Sequence, residues 1–433
     1  MALPNNILQN VALYAKADLA WMLNEFVAID ASNKMFRDFN KRSGNLGDTI
    51  TFDIAPRYLS YNGLVVTQQP SVQRVVNLTC SQANNVTSSY DDQQFIFNVE
   101  QYIDRFGMAG AKELGSSIEQ DILRNIISGV RINDPQNANY GQLQTNSGPY
   151  RFYGNGIDPI NSFTQLAQAV ANFEDFGAAK DNLMGILPRT YIPSIVGSGL
   201  NQFALDRNND LAKNWMLGDF SGCKWATSNL LPVHEAGTVG EANTTLTLVS
   251  TNDPTGANVT ELTFSGATIN DSNAIKAGDM GQFQDNVGSL PNLRFRTFIG
   301  HTVSSQPVQF RVLNDDGANG SGNVTFQVSP PLVWAQNQNQ NLNVPLQAGM
   351  QVKILPSHKA GVLMSGNPLY LAMPQLPDLR PYDSVTETDK DSGASIRHYF
   401  GSGLGNNTRI YVRDCIWGST MVQENGMRLV FPI

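Results

Sequence analysis

Charged side chains are scarce in this sequence. Asp, Glu, Lys and Arg together make up only 15% of its 433 residues, whereas a typical soluble domain contains about 25%. Because 41% of the residues are hydrophobic, this scarcity does not indicate a disordered chain. The polar residues are instead mostly neutral, with frequent Asn, Gln, Ser and Thr. Such a surface costs less to bury than one rich in Lys and Glu, which suits dense contacts between protein molecules.

Basic residues, cysteines and long apolar runs are also few. The 37 acidic residues outnumber the 29 basic ones, and this balance argues against a protein that grips nucleic acid tightly. Three scattered cysteines, Cys80, Cys223 and Cys415, are too few for a disulfide framework or a zinc cage. No window approaches the ~20 apolar residues that span a bilayer. The N-terminal residues lack a secretion-signal pattern, so we expect a protein of a reducing cytoplasm that does not insert into a membrane.

Sequence motifs for catalysis are missing as well. The four histidines stand far apart without an HExxH motif, GSGLGN at 401–406 lacks the last glycine of a dinucleotide-binding loop, and no P-loop occurs. The acidic loop 315–323 lacks the ligand spacing of a calcium loop and predicts a turn between strands. Cys80 has no basic neighbour in sequence and is interpreted as a structural thiol. We therefore predict no catalytic residue, no cofactor, no metal site and no enzyme activity.

Helical periodicity is clearest in three parts of the chain. Residues 5–40 predict one or two short amphipathic helices in an N-terminal arm, and residues 99–127 predict one long helix of about 40 Å. Glycines at 107, 110 and 115 reduce helix propensity, and they leave room for close approach of another segment. Residues 161–176 predict a further helix with Asn161 or Ser162 as N-cap, followed by a short helix at 191–203.

Polar and apolar residues alternate from Thr49 in TITFDI, which predicts a strand, and Pro56 ends that strand. With VQRVVNLTCSQ and a strand near FIFNV, the range 49–98 predicts a long two-stranded excursion. A ribbon of this length cannot bury both of its own faces and is marginally stable alone. The segment 49–98 is therefore expected to lie against another protein surface.

Helical periodicity disappears between about 233 and 356, where short β-rich runs alternate with Gly, Asn, Asp and Pro. The runs are TTLTLVST, ELTFSG, FRTFIGHTV, VQFRVLND, NVTFQVS and MQVKIL. This spacing predicts an antiparallel barrel or sandwich. Mixed αβ patterns resume afterwards, so we interpret the β module as an insertion. The predicted organisation is an arm at 1–48, a hairpin loop at 49–98, a helix at 99–131, an αβ domain at 132–232 and 357–433, and an inserted barrel at 233–356.

This order of parts resembles the major capsid proteins of tailed bacteriophages, which have the Hong-Kong-phage-type fold. It is most similar to the branch of short-tailed Salmonella phages, whose coat protein carries an inserted β-barrel. The resemblance lies in GNLGDTITFDIAPRY at 44–58, the long helix at 99–127, SNLLPVHEAGT at 228–238, AIKAGDMGQF at 274–283, and the closing segments NPLYLAMPQLPD and TRIYVRDCIWGSTMVQENGMRLVF. It implies an α+β fold with a long spine helix, an extended β-hairpin loop and an inserted all-β domain.

The resemblance further implies a structural protein that self-assembles as hexamers and pentamers into an icosahedral shell around the phage genome. Implied partners are other copies of the chain, a scaffolding protein, a portal and packaged double-stranded DNA bound without sequence specificity, in a virion assembled in the host cytoplasm. Arg57, Tyr58, Tyr61 and Arg74 of the hairpin loop are the candidate inter-subunit contacts. No scaffold-binding cluster is assigned, since Lys34, Arg37, Lys41 and Arg42 are interpreted as a solvated helix end.

One alternative function is a virion surface module or carbohydrate-binding module. An Asn-rich β domain with aromatic residues such as Trp334, which we expect to be exposed, motivates it. The long helix and the absence of a secretion signal argue against it.

Overall fold

A computed structural model describes most of the chain. The described residues are 11–23, 27, 32–33, 49–61, 68–91, 108–132, 139–178, 181–199, 218–285, 287–366, 368–379, 383–389, 393–402 and 408–433. They form two compact units. The first unit comprises 1–51, 77–123 and 369–420, and the second comprises 52–76, 124–368 and 421–433. The predicted strand near FIFNV and the arm residues Lys34, Arg37, Lys41 and Arg42 lie outside the described residues.

The described residues contain both helices and strands, and, apart from one 3₁₀ turn, strands alone follow the last α-helix. The α-helices are α1 Val11–Leu23, α2 Met108–Ser128, α3 Phe163–Asp175, α4 Ile192–Gly199 and α5 Thr238–Glu241. The strands are β1 Ser32–Asn33, β2 Thr49–Ile54, β3 Arg74–Thr79, β4 Gln82–Asp91, β5 Arg151–Tyr153, β6 Leu183–Pro188, β7 Gly218–Phe220, β8 Cys223–Ser228, β9 Val233–His234, β10 Thr245–Thr251, β11 Val259–Ser265, β12 Met280–Phe283, β13 Arg294–Arg296, β14 Val303–Pro307, β15 Gln309–Val312, β16 Asn323–Leu332, β17 Gln351–Ile354, β18 His358–Met364, β19 Leu369–Ala372, β20 Asp383–Thr388, β21 Ser395–Ser402, β22 Thr408–Met421 and β23 Gly426–Phe431.

The first unit is built on a six-stranded sheet in the order β1-β19-β22-β21-β20, with β4 also paired to β22. The β4 strand is antiparallel to β22, from Thr408 opposite Asp91 to Trp417 opposite Gln82. The predicted excursion at 49–98 therefore divides, because β4 belongs to this sheet and only β2 and β3 pair with each other as a two-stranded sheet.

Within the range predicted for the long helix, the structure shows α2, with 21 residues, or roughly 32 Å at 1.5 Å per residue. Residues 99–107 of the predicted range lie outside the described residues. Two of the glycines in the predicted helix lie at close contacts within the first unit. A Cβ at Gly115 would lie 3.2 Å from the Met22 carbonyl oxygen, and one at Gly110 would lie 2.6 Å from the Arg413 Nη1. The close approach predicted for these two glycines is confirmed.

Gly115→Leu should destabilise the chain by about 1–3 kcal/mol, because the added side chain meets the α1 backbone at Met22. Urea denaturation of the unassembled subunit measures the change. The control is Gly141→Leu, at a glycine that has open space where a Cβ would lie but a φ of +82°, so its cost reports backbone strain without a clash. Equal stability of wild type and Gly115→Leu would contradict the packing argument.

The second unit contains a mixed seven-stranded sheet in the order β5-β23-β18-β6-β8-β7, with β9 paired to β18. Helix α3 begins at Ser162, whose side chain accepts a hydrogen bond from the Gln165 amide, as the predicted N-cap requires. Its apolar face packs with α4 against this sheet, in a core that includes Phe173, Trp225 and Leu429. The described part of the predicted short helix at 191–203 is a 3₁₀ turn followed by α4.

The same unit contains a closed six-stranded barrel in the order β10-β11-β16-β15-β12-β17. Alternate side chains of β16 are buried, as in Val324, Phe326 and Val328, and the ring of Phe326 stacks on Phe264 with centroids 5.4 Å apart. Closure leaves no free strand edge. The predicted all-β module is thus observed as a closed barrel, whose strands lie between Thr245 and Ile354.

One predicted strand is wrong in detail. The run FRTFIGHTV at 295–303 contains the end of β13, a hairpin turn at 297–302 and the start of β14, because Gly300 and His301 both have positive φ, 78° and 49°. A backbone in this region cannot continue an extended strand. The turn places Ile299 at its tip, 84% exposed.

Four arginines among the described residues are fully buried: Arg151, Arg311, Arg413 and Arg428. Two of them bind the last carbonyls of α2 in the second unit. Arg428 Nη2 donates to Ile127 O at 2.9 Å, and Arg311 Nη1 donates to Ser128 O at 3.4 Å. These bonds satisfy carbonyls that have no partner within the helix, at the negative end of its dipole. The exposed surface of the described residues therefore carries even fewer basic groups than the composition suggests.

Candidate functional site

The candidate site is the ribbon, which we define as residues 52–61 and 68–76. It includes the end of β2 and the start of β3 and belongs to the second unit. All four predicted contact residues, Arg57, Tyr58, Tyr61 and Arg74, are described. They divide into two arginines with partners inside the unit and two exposed tyrosines.

Arg57 and Arg74 both form ion pairs with Glu424, in the 3₁₀ turn before β23. Their side chains are only 11% and 16% exposed, and that of Glu424 is 17% exposed. Burial lowers the pKa of Arg57 to about 10, against the opposing effect of Glu424, so Arg57 remains charged at neutral pH. Two cations therefore share one carboxylate, and this arrangement fixes the base of the ribbon.

The Arg57 guanidinium also lies over the Phe298 ring, 3.3 Å from its centroid. A cation stacked on an aromatic face is attracted by the ring quadrupole. Phe298 belongs to the turn between β13 and β14 and contributes to the barrel core. Arg57 thus attaches the ribbon both to the turn before β23 and to the turn between β13 and β14.

Tyr58 and Tyr61 point to solvent, with 52% and 48% exposure, and Val72 on the returning segment is 49% exposed. The Tyr58 hydroxyl lies 3.0 Å from Ser71 Oγ, a contact that joins the two segments. His301 Nε2 contacts the Tyr58 carbonyl oxygen at 3.4 Å, and Ile299, two residues before His301, is exposed. An exposed apolar group of this kind is typical of an interaction surface.

The sequence did not identify Glu424, Phe298 or Ile299. Glu424 lies far along the chain from its arginine partners, and no local pattern links them. An isoleucine directly before the Gly-His turn in FIGH was a usable signal, since turn tips normally carry polar residues.

Trp334, which the alternative function requires to be exposed, is only partly so. This side chain is partly buried and packs against the barrel core, and its ring covers Gly256, so that no Cβ would fit there. A carbohydrate platform requires an open aromatic face, and Trp334 does not present one fully.

Two of the four histidines, His234 and His358, lie close together. His234 Nε2 is 2.8 Å from Asp279 Oδ1, and its ring centroid is 5.3 Å from that of His358. Among the described residues, no group of three or more His, Cys, Asp or Glu side chains could hold a metal ion. The three cysteines are buried and unbridged. No helix in the described part of the chain has the length and apolarity to cross a bilayer.

The His358 imidazole is held neutral by its surroundings. Its Nδ1 lies 2.7 Å from Pro356 O, so Nδ1 carries the proton, and Nε2 faces Arg428 Nη1 at 3.3 Å. Burial, and then the charge of Arg428, lower the pKa of His358 to about 2.

Stability should therefore fall as the pH falls below about 6.5. The unfolded state takes up a proton near that pH and the folded state does not, so His358 costs up to about 1.4 kcal/mol per pH unit. Urea denaturation at pH 7.5, 6.5 and 5.5 measures the effect. His358→Gln should have a shallower pH dependence by about one proton, and an unchanged slope would contradict this assignment.

Comparison with known proteins gives structural similarities only. No protein-family model matches the chain, and none of the curated proteins matches its sequence. Among solved structures it is similar to one of Mycobacterium phage Che8, with 10% identity, coverage of 93% of this chain and 90% of that one, and a TM-score of 0.43. It is also similar to the capsid of Cyanophage P-SCSP1u, with 10% identity, 92% and 88% coverage and a TM-score of 0.39.

A third similar structure is the virus-like particle from Pyrococcus furiosus, with 8% identity, 96% and 98% coverage and a TM-score of 0.38. Because all three TM-scores are below 0.5, these similarities do not by themselves establish a shared fold.

Proposed function

We propose that this chain is the major capsid protein of a tailed bacteriophage, a structural subunit that assembles into a closed icosahedral shell. Hexamers and pentamers form the shell, α2 serves as the spine helix, and the barrel is an inserted domain, as in the coat proteins of short-tailed Salmonella phages. A scaffolding protein and a portal are the proposed assembly partners in the host cytoplasm, and double-stranded DNA is the packaged genome.

The observation that carries the proposal is the ribbon. Its base is fixed by Glu424, while Tyr58, Tyr61 and Val72 are left exposed. These exposed apolar side chains lie on a segment with few backbone hydrogen bonds of its own, and a second copy of the chain would cover them. The chain has few charged residues, and four of its arginines are buried in the subunit. A surface with so few charges costs less to bury between copies, which supports the proposal.

The test is electron microscopy of the purified chain in negative stain, alone and co-expressed with a scaffolding protein if one is encoded nearby. Closed shells, or rings of five and six copies, are the expected result. Uniform monomers under all assembly conditions would contradict the proposal. Deletion of residues 61–71 should give a folded subunit that does not form shells.

A further inference from the structure

Two loops from the barrel side of the second unit hold the ribbon. One is the turn that contains Phe298 and His301, between β13 and β14, and the other contains Gln338 and Asn339, after β16. We call these four residues the grip. We propose that the grip sets the direction of the ribbon in the free subunit, and so controls the geometry with which copies join. This proposal rests on the proposed function and adds a regulatory role for the barrel.

The grip contacts the outgoing segment of the ribbon at Arg57 and Tyr58. Asn339 Oδ1 accepts a hydrogen bond from Arg57 Nη1 at 3.0 Å, and Phe298 stacks under the same guanidinium. His301 contacts the Tyr58 carbonyl oxygen. Three side chains from two separate loops thus converge on two consecutive ribbon residues.

The grip also contacts the returning segment. Gln338 Nε2 donates to the Pro70 carbonyl oxygen at 2.8 Å and to Gln69 Oε1 at 3.1 Å. Gln69 in turn bonds both the amide and the carbonyl of Leu59, at 3.0 and 2.8 Å. The bond from Gln338 therefore reaches both segments of the ribbon through one side chain.

The ribbon depends on these contacts because it has little regular pairing of its own here. Between Ile54 and Arg74, its described residues are not in strands, and side chains such as Gln69 take the place of a ladder of backbone bonds. A segment with few internal backbone bonds opens at low free energy unless something else holds it.

Both loops are fixed independently of the ribbon. Phe298 packs edge-on against Phe295 of the barrel core, with ring centroids 5.5 Å apart. In the second loop, Asn337 Oδ1 accepts from the Asn339 amide at 2.8 Å, and Gln340 Nε2 donates to the Trp334 carbonyl at 3.1 Å. Because both loops are held in place without the ribbon, the positions of the grip residues determine the direction in which the ribbon lies.

The test uses the double variant Gln338→Ala with Asn339→Ala. Asn339 is exposed and Gln338 is partly buried, and the side chains of both bond the ribbon, so the barrel should melt as in wild type. The matched control is Gln336→Ala, an exposed glutamine of the same loop for which the structure shows no contact with the described part of the ribbon. Hydrogen exchange is measured on the unassembled subunit, and particle size is measured by electron microscopy.

We expect the Leu59 amide, which donates to Gln69 Oε1, to exchange about tenfold faster in the double variant, corresponding to the loss of one or two net hydrogen bonds, and its particles to vary in size. Unchanged exchange would overturn the grip. Faster exchange with uniform particles of wild-type size would overturn its control of geometry. If the wild-type chain formed no particles, the proposed function and the control of geometry would both fail, while exchange would still show whether the grip exists.

Discussion

Arg413→Met should lower the free energy of unfolding by about 3–5 kcal/mol, because it leaves a buried carboxylate without its counter-ion. Arg413 and Asp18 are both 2% exposed and form an ion pair in the first unit, between β22 and α1. Tyr411 Oη also donates to Asp18 Oδ2 at 2.9 Å, but a neutral donor cannot replace the lost charge. Burial already raises the pKa of Asp18, against the opposing effect of Arg413. Urea denaturation of the unassembled subunit measures the loss.

Two further variants separate this effect from a general one. Arg189→Met, at an exposed arginine, should change stability by less than about 0.5 kcal/mol. Adding Asp18→Asn to Arg413→Met should recover part of the loss, since the unpaired charge is then removed. If the double variant were less stable than Arg413→Met, the buried charge would not be the cause.

Tyr58→Ser combined with Tyr61→Ser should strongly impair assembly and leave the subunit folded. Both tyrosines are about half exposed in the free subunit, and a tyrosine buried at an interface typically contributes about 1–2 kcal/mol or more. Two such losses at each contact correspond to at least about a 30-fold rise in the critical concentration for assembly. Light scattering across a concentration series measures this quantity.

The control for this prediction is Tyr140→Ser, at a tyrosine that is 61% exposed and lies outside the ribbon. It should assemble at the wild-type concentration. If the ribbon variant assembled as readily as wild type, Tyr58 and Tyr61 would not be inter-subunit contacts. If Tyr140→Ser were equally impaired, loss of surface tyrosine in general would explain both results.

The all-β module could be predicted from the sequence because its signal is local. Alternation of buried and exposed side chains over a few residues, as in NVTFQVS, identifies a strand without knowledge of its partner. The N-cap at Ser162 is readable for the same reason, since the cap and the Gln165 amide that donates to it lie three residues apart. The division of 49–98 between a ribbon and the sheet strand β4 was not predictable, because the partner β22 begins more than 300 residues later.

The sequence by itself determined an α+β chain with a helix ending near residue 128, an all-β module, a ribbon in need of support and a composition poor in charge. That the module closes into a barrel was decided by the tertiary structure. Only the tertiary structure decided which charged residues are interior and what holds the ribbon. Arg57 and Arg74 meet Glu424 across 367 and 350 residues, and Asp18 meets Arg413 across 395. Such pairs leave no local pattern, because ion pairing depends on proximity after folding, whereas periodicity depends on neighbours along the chain.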